Sequence, residues 1–173
     1  MRGVSENQEA SSGVILGIDP GTVVVGYGAV RATVGGVELV TAGVLRPRRT
    51  APVPERLGEI GAGLDQLLTD LGPAVVVVEE AFVSRNVQSA LRIGEGRGVV
   101  LAAATRFGAR VVQMPPAVAK KALVGNGAAP KEQVAGMVGR LLGVSPEQVS
   151  LDATDALALA LAHLLRPQTL RVR

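Results

Sequence analysis

The chain contains no cysteine and no tryptophan, and one tyrosine and two phenylalanines are its only aromatic side chains. Without cysteine, a disulfide framework and a thiolate metal site are both excluded. The longest apolar runs, such as 156–165, are too short to cross a bilayer. Residues 1–13 lack the apolar core of a secretory signal. We therefore expect a cytoplasmic protein that has no membrane contact.

Lysine is also scarce. The three lysines are Lys120, Lys121 and Lys131, whereas arginines cluster at 46–49 and 166–173. The net charge of +3 and an isoelectric point near 9.9 permit nucleic-acid binding without establishing it. Solvated surface charge explains any single cluster equally well.

The rest of the composition is typical of one folded domain. Hydrophobic residues make up 47% of the 173 positions and charged residues 19%, so disorder is excluded for most of the chain. We see no internal repeat and no linker. The sequence predicts a single domain over 14–165, between a flexible N-terminal tail (1–13) and a basic C-terminal tail (166–173).

Hydrophobic periodicity predicts an α/β protein. The predicted strands are short apolar runs at 14–19, 23–34, 37–45, 74–78 and 110–114. The predicted helices repeat apolar residues at helical spacing over 54–71, 89–107, 115–123, 131–142 and 151–165. We expect Gly35-Gly36 to form a two-residue hairpin turn, Gly72-Pro73 to end the first helix, and 81–87 to be a polar loop. This order predicts a five-stranded mixed sheet, antiparallel hairpin strands first, flanked by helices.

Acidic residues border apolar sequence in several separate elements. Asp19 ends the first strand, Glu79 and Glu80 end the valine run, and Asp152 and Asp155 open the last helix on nearly one face. An ionised carboxylate beside apolar residues is costly unless it is paired, hydrogen-bonded or metal-bound. A favourable helix dipole explains the aspartate pair taken alone. Periodicity does not choose between the two glutamates, because neighbouring strand residues face opposite ways.

The ligand type indicates which metal these acids would hold. Oxygen ligands without cysteine or a histidine pair favour Mg²⁺ or Mn²⁺ over zinc. Two such ions about 3.5–4 Å apart serve phosphoryl transfer. The single histidine, His163, lies about 16 Å along the helix axis from Asp152, too far to join the cluster directly. We interpret it as structural.

Several short motifs stand in a familiar order and spacing. They are GIDPGT at 17–22, GYG at 26–28, EEAFV at 79–83 with Asn86, SAL at 89–91, GRGV at 96–99, VGNG at 124–127, Lys131, and DATDALA at 152–158. Together they resemble the RuvC family of bacterial Holliday-junction resolvases, in the RNase H-like superfamily. The resemblance covers about 14–165.

The resemblance implies a homodimer that binds a four-way DNA junction and nicks two opposed strands symmetrically, in recombination and DNA repair. It implies hydrolysis with two Mg²⁺ per site, for which Mn²⁺ can substitute, leaving 5′-phosphates. It also implies work beside the branch-migration proteins RuvA and RuvB. The metal-binding and catalytic acids carry over as Asp19, Glu79, Asp152 and Asp155. Some members have histidine at the position of Asp152, which leaves open whether that residue is a ligand or a base.

The same resemblance implies DNA contacts. Phe82 would stack on an unpaired base, worth about 1–3 kcal/mol; packing into the core is the alternative. Lys120 and Lys131 match basic residues near the scissile phosphate, and Lys131 is also a catalytic candidate. Arg85 and Asn86 are further DNA-binding candidates, whereas Lys121 falls outside the motifs and is expected at the surface.

Two glycine-rich stretches fail the phosphate-loop patterns. Residues 94–98 do not follow a strand, and 125–130 lack the GK[ST] ending. We expect the first to allow close helix approach, at the dimer interface that the resemblance implies. The second is expected to be a mobile loop that lets Lys131 reach DNA.

Three other functions are compatible with parts of the pattern. A different RNase H-like nuclease would cut RNA–DNA hybrids or process RNA. An actin-like or sugar-kinase module would bind a nucleotide after its first strand, but it needs a second half for which this chain is too short. A junction-binding scaffold would have lost its chemistry, against which the full set of four acids counts.

Overall fold

The computed structural model describes residues 13–80, 87–145 and 147–166. Its strands are β1 (Ile15–Asp19), β2 (Val25–Thr33), β3 (Gly36–Leu45), β4 (Val75–Glu79) and β5 (Arg110–Met114). Its helices are α1 (Val53–Leu71), α2 (Val87–Phe107), α3 (Pro116–Val124), α4 (Lys131–Leu142) and α5 (Leu151–Leu165). Every predicted strand and helix is present, and no end differs from the prediction by more than two residues.

The five strands form one mixed sheet in the order β3-β2-β1-β4-β5. The β1–β2 and β2–β3 pairs are antiparallel, whereas β1–β4 and β4–β5 are parallel. The predicted mixed sheet is thereby confirmed. Because β1 and β4 are parallel neighbours, their carboxyl ends lie side by side at one edge of the sheet.

The predicted position of the first hairpin turn is wrong by one residue. Val34 and Gly35 form the turn, and Thr33 pairs with Gly36. Gly36 has a φ of 148°, which L side chains rarely adopt. The conformational freedom of glycine is therefore used where β3 begins. The turn that ends α1 is as predicted: Gly72 is left-handed and donates its N–H to the Leu68 carbonyl over 2.9 Å.

Each face of the sheet carries its own core. Alternate strand residues point to opposite faces. Ile15 and Val77 pack with α3, α4 and α5, whereas Ile18 and Val78 pack with α1 and α2. We call these the α5 face and the α2 face. Asp19 and Glu79 follow the alternation of Ile15 and Val77, so they belong to the α5 face.

Glycines bring the backbone of α5 directly onto the sheet. A Cβ at Gly17 would collide with the carbonyl oxygen of Ala156, and one at Gly28 would lie 2.5 Å from Leu157 Cγ. Every residue of α5 from 156 to 163 is buried, including His163, which agrees with a structural role for that residue. Because backbone atoms of α5 contact the strands directly, the position of the start of α5 relative to the sheet is fixed.

The predicted tails lie almost wholly outside the described residues, at 1–12 and 167–173, so the domain boundaries stay a prediction. No helix within the described ranges is long and apolar enough to cross a membrane.

Replacing Gly17 by alanine should lower the free energy of unfolding by about 2–4 kcal/mol, because the new methyl group meets backbone atoms that cannot rotate away. Urea denaturation followed by circular dichroism measures the change. The control is Gly58→Ala on α1, where an added Cβ meets nothing within 4 Å. That variant should gain roughly 0.5–1 kcal/mol from helix propensity. Equal stability of both variants would contradict the proposed contact.

Candidate active site

Asp19 and Glu79 end neighbouring parallel strands. Ile18 pairs with Val78, and the next residue of each strand is the carboxylate. Strand alternation places both on the α5 face. Glu80 is exposed and donates its backbone N–H to the Met114 carbonyl over 2.9 Å. The structure thus separates the two glutamates that periodicity left equivalent.

The start of α5 carries the aspartate pair to the same place. Ser150 caps the helix: its side chain accepts a hydrogen bond of 3.4 Å from the Ala153 N–H. A Cβ at Gly26 would collide with the Asp152 carbonyl, so β2 and the helix start are in direct contact. Gly26 pairs with Asp19 across β1 and β2. Asp152 and Asp155 therefore lie near the end of β1.

Asp19 and Glu79 both carry raised pKa values, to which the neighbouring acids contribute. Burial raises the pKa of Asp19 to about 7, assisted by the negative charges of Glu79, Asp155 and Asp152 and opposed by Lys131. Burial also raises the pKa of Glu79, again with a contribution from Asp155. Acids from β1, β4 and α5 are therefore close neighbours, and Lys131 is the cation that opposes the rise in the Asp19 pKa.

Lysines supply the positive charge at the cluster. Lys131 Nζ donates to Asp155 Oδ2 over 2.5 Å, and this bond raises the pKa of Lys131. Lys120 Nζ donates to the Ala129 carbonyl over 2.8 Å, and its charge opposes part of the rise in the pKa of Glu79. Both lysines line a pocket of about 140 Å³ together with Glu79 and Asp155. Lys121 is exposed, as predicted.

The chemistry of this cluster fits a hard divalent cation. Its donors are carboxylate oxygens, which Mg²⁺ and Mn²⁺ prefer. Four acids outnumber the two nearby ammonium groups, and burial together with the neighbouring negative charges raises the pKa of Asp19 to about 7. Within the described ranges, no three acidic or histidine side chains are already arranged around one point as ligands. Asp155 is engaged with Lys131, so its side chain would have to reorient to join a shared ion.

Other predicted contacts have different outcomes. Phe82, Arg85 and Asn86 lie at 81–86, outside the described residues, so their DNA roles stay predictions. Within the arginine cluster at 46–49, Arg48 binds Glu59 through both its backbone N–H (2.8 Å) and its Nε (2.6 Å). It therefore anchors the connection between β3 and α1.

Sequence reasoning missed one residue beside the site. Arg97 on α2 donates its Nε to the backbone carbonyl of Glu79 over 3.1 Å. The motif at 96–99 includes this arginine, but a motif does not say which distant backbone atom a side chain meets. The partner became visible only when β4 and α2 were placed together.

The mixed sheet, its strand order and its flanking helices define the RNase H-like fold, as the sequence predicted. The chain belongs to the RuvC family: the family model described as crossover junction endodeoxyribonuclease RuvC matches residues 15–163.

Similar proteins support this membership. The crossover junction endodeoxyribonuclease RuvC of Solidesulfovibrio magneticus is 48% identical over 152 residues, which cover 88% of this chain and 89% of that protein. The protein of the same name from Chlorobaculum parvum is 41% identical over 157 residues, covering 91% and 84%. The solved structure of T. thermophilus RuvC in complex with Holliday junction substrate matches with a TM-score of 0.82 and 36% identity, covering 88% of this chain and 93% of that one.

Without divalent cations, Asp19→Asn should stabilise the folded protein above neutral pH. The Asp19 pKa rises from 3.8 to about 7 on folding, so the folded state binds this proton more tightly. Wild-type protein therefore loses stability as the pH rises through this window. The variant has no charge to bury, so its advantage should be small near pH 4 and reach a few kcal/mol near pH 8.

Denaturation in EDTA at both pH values measures this difference, and Glu80→Gln at the exposed neighbouring position is the control. A stability difference between Asp19→Asn and wild type that does not change with pH would contradict the raised pKa.

Proposed function

We propose that this chain is a crossover junction endodeoxyribonuclease, a hydrolase that resolves Holliday junctions by paired symmetric nicks in recombination and DNA repair. The observation that carries the proposal is that acids from β4 and α5 lie close enough to Asp19 on β1 to raise its pKa, in a chain of the RuvC family. We further propose that it acts in the cytoplasm.

Enzymes of this family depend on metal ions. We propose that Asp19, Glu79, Asp152 and Asp155 hold two Mg²⁺ ions, for which Mn²⁺ can substitute. When bound, the ions would supply an activated water and support for the departing 3′-oxygen, so that a 5′-phosphate remains. Asp152 lies at the start of α5, which contacts β2 at Gly26. We propose that Asp152 is either a metal ligand or a general base.

Lys131 is proposed to act on the substrate. Its side chain is 69% exposed, so rotation about its own bonds carries the ammonium from Asp155 towards solvent and DNA. There it would stabilise charge on the scissile phosphate. Lys120 lies in the same pocket and would contact an adjacent phosphate.

The proposed substrate is a four-way DNA junction, the kind of molecule bound in the T. thermophilus structure. Phe82 would stack on a base near the junction centre, and Arg85 and Asn86 would contact the same DNA. We propose that the chain acts as a homodimer, since two equivalent sites match the near two-fold symmetry of an open junction. Exposed apolar side chains on α2, Val87 and Leu91, support an interface on that helix. RuvA and RuvB are the proposed functional partners.

The decisive experiment uses a labelled synthetic four-way junction with and without Mg²⁺. Wild-type protein should place two symmetric nicks, and Asp19→Asn should abolish them while keeping junction binding, because phosphate contacts elsewhere hold the DNA. Glu80→Gln is the matched control and should cut normally. An RNA–DNA hybrid is the competing substrate; preferential cleavage of the hybrid, or cutting by pure Asp19→Asn protein, would refute the proposal.

Lys131→Ala should reduce the single-turnover cleavage rate by about 10²–10³-fold, as expected for loss of one group that stabilises transition-state charge. Junction affinity should change much less, because one lysine is a small part of the total phosphate contact. Gel-shift titration and quenched-flow cleavage separate the two effects. Lys121→Ala, an exposed lysine on α3, should leave both unchanged. Unaltered cleavage by Lys131→Ala would remove this residue from the proposed machinery.

A further inference from the structure

The end of β4 is held from the face opposite the carboxylates. Arg97 lies on α2, which packs against Val78 and Ile18 on the α2 face. Its Nε donates to the Glu79 carbonyl over 3.1 Å, and its Nη2 donates to the side-chain oxygen of Gln113 on β5. One guanidinium group therefore links the ends of β4 and β5 from the α2 face.

This contact is made at the carboxyl end of β4, where the chain leaves the sheet. Glu79 is the last residue of β4, and the following peptide has one more sheet bond, from the Glu80 N–H to the Met114 carbonyl at 2.9 Å. Arg97 satisfies the Glu79 carbonyl with a charged donor, which is roughly twice as strong as a neutral one. The peptide group that joins Glu79 to Glu80 is thus held by hydrogen bonds at both its carbonyl and its N–H.

Glu79 needs such support because its side chain is under electrostatic stress. Burial removes water from its carboxylate and Asp155 repels it, while the charges of Lys131 and Lys120 offset only part of this cost. A strand end that was free to move would relieve this stress by swinging the carboxylate outwards. Hydrogen bonds to the backbone oppose that movement without approaching the carboxylate.

The residue before Arg97 contacts the other strand end. Gly96 packs against the turn after β1: a Cβ added there would lie 2.7 Å from the Gly21 carbonyl and 3.4 Å from Thr22 Cγ2. Two consecutive residues of α2 therefore contact the segments that carry Glu79 and Asp19. Contact with α2 therefore helps to fix the positions of these two segments relative to each other.

We propose that Arg97 is a positioning residue that holds the Glu79 backbone so that its carboxylate stays in place to share a divalent cation with Asp19. The inference rests on the proposed metal-dependent nuclease function. Because α2 packs on the opposite face of the sheet from Asp155 and Lys131, Arg97 acts through Glu79 and not by touching the cation or the scissile phosphate.

The test compares Arg97→Ala, Arg97→Lys and wild type as full chains. Calorimetric titration with Mn²⁺ in the absence of DNA should show an affinity roughly tenfold weaker for Arg97→Ala, the size of effect seen when a group supporting a metal ligand is removed. The Mg²⁺ concentration that half-saturates junction cleavage should rise by a similar factor, and excess Mg²⁺ should restore most of the rate. Arg97→Lys keeps a donor for the Glu79 carbonyl and should recover part of the affinity.

Arg106→Ala is the matched control. Arg106 is on the same helix and forms an exposed 2.6 Å ion pair with Asp65 of α1, away from the strand ends. Its removal tests whether any weakening of α2 has the same effect, and metal affinity should be unchanged. Gln113→Ala, which removes the second acceptor of the guanidinium, should reproduce a smaller part of the Arg97→Ala defect.

Each other outcome overturns the inference. Unchanged Mn²⁺ affinity in Arg97→Ala excludes the positioning role, and an equal loss in Arg106→Ala assigns the effect to general helix stability. A fall in metal-free junction affinity that matches the fall in cleavage would make Arg97 a DNA contact. If wild-type protein neither cuts junctions nor loses Mn²⁺ binding on Asp19→Asn, the proposed function itself fails. If wild type passes both tests and Arg97→Ala resembles it, only the positioning role fails.

Discussion

The contact between the backbone of α5 and the glycines of β1 and β2 is the constraint on which the rest of the site depends. Gly17, Gly26 and Gly28 lie on one face because they pair with, or alternate with, one another across the two strands. With side chains at these positions, the helix would stand several ångströms further from the sheet, and the aspartates of its first turn would move with it. The site is therefore determined by main-chain packing before any charge is considered.

At the carboxylate cluster, the favourable packing of the fold is opposed by repulsion between negative charges. Hydrophobic burial on both faces holds the strand ends and α5 in place, while like charges there repel. The free energy of unfolding of a domain is small, so local repulsion of this kind is a substantial fraction of it. Lys131 offsets part of the repulsion through Asp155. The fold thus keeps, at the edge of the sheet, a group of acids whose charges are only partly balanced by its own cations.

Hydrophobic periodicity predicted all five strands and all five helices, because each element buries apolar residues with the spacing of its own geometry. It did not fix the hairpin turn, since Gly35 and Gly36 both suit a turn and only strand pairing decides between them. Glu79 and Glu80 were equivalent until strand alternation was known in three dimensions. Arg97 was missed because its partner is a backbone carbonyl, and every residue has one.

The close packing of α5 on the sheet also affects how the site would respond to cation binding. A helix in backbone contact with its sheet cannot slide or tilt without breaking that contact, so Asp152 and Asp155 can adjust only by rotating their short side chains. Short side chains have few rotamers to lose, and the entropy cost of ordering them is low. Cation binding at this edge of the sheet would then need little backbone movement. Lys131, whose side chain is long and exposed, would be the group that moves.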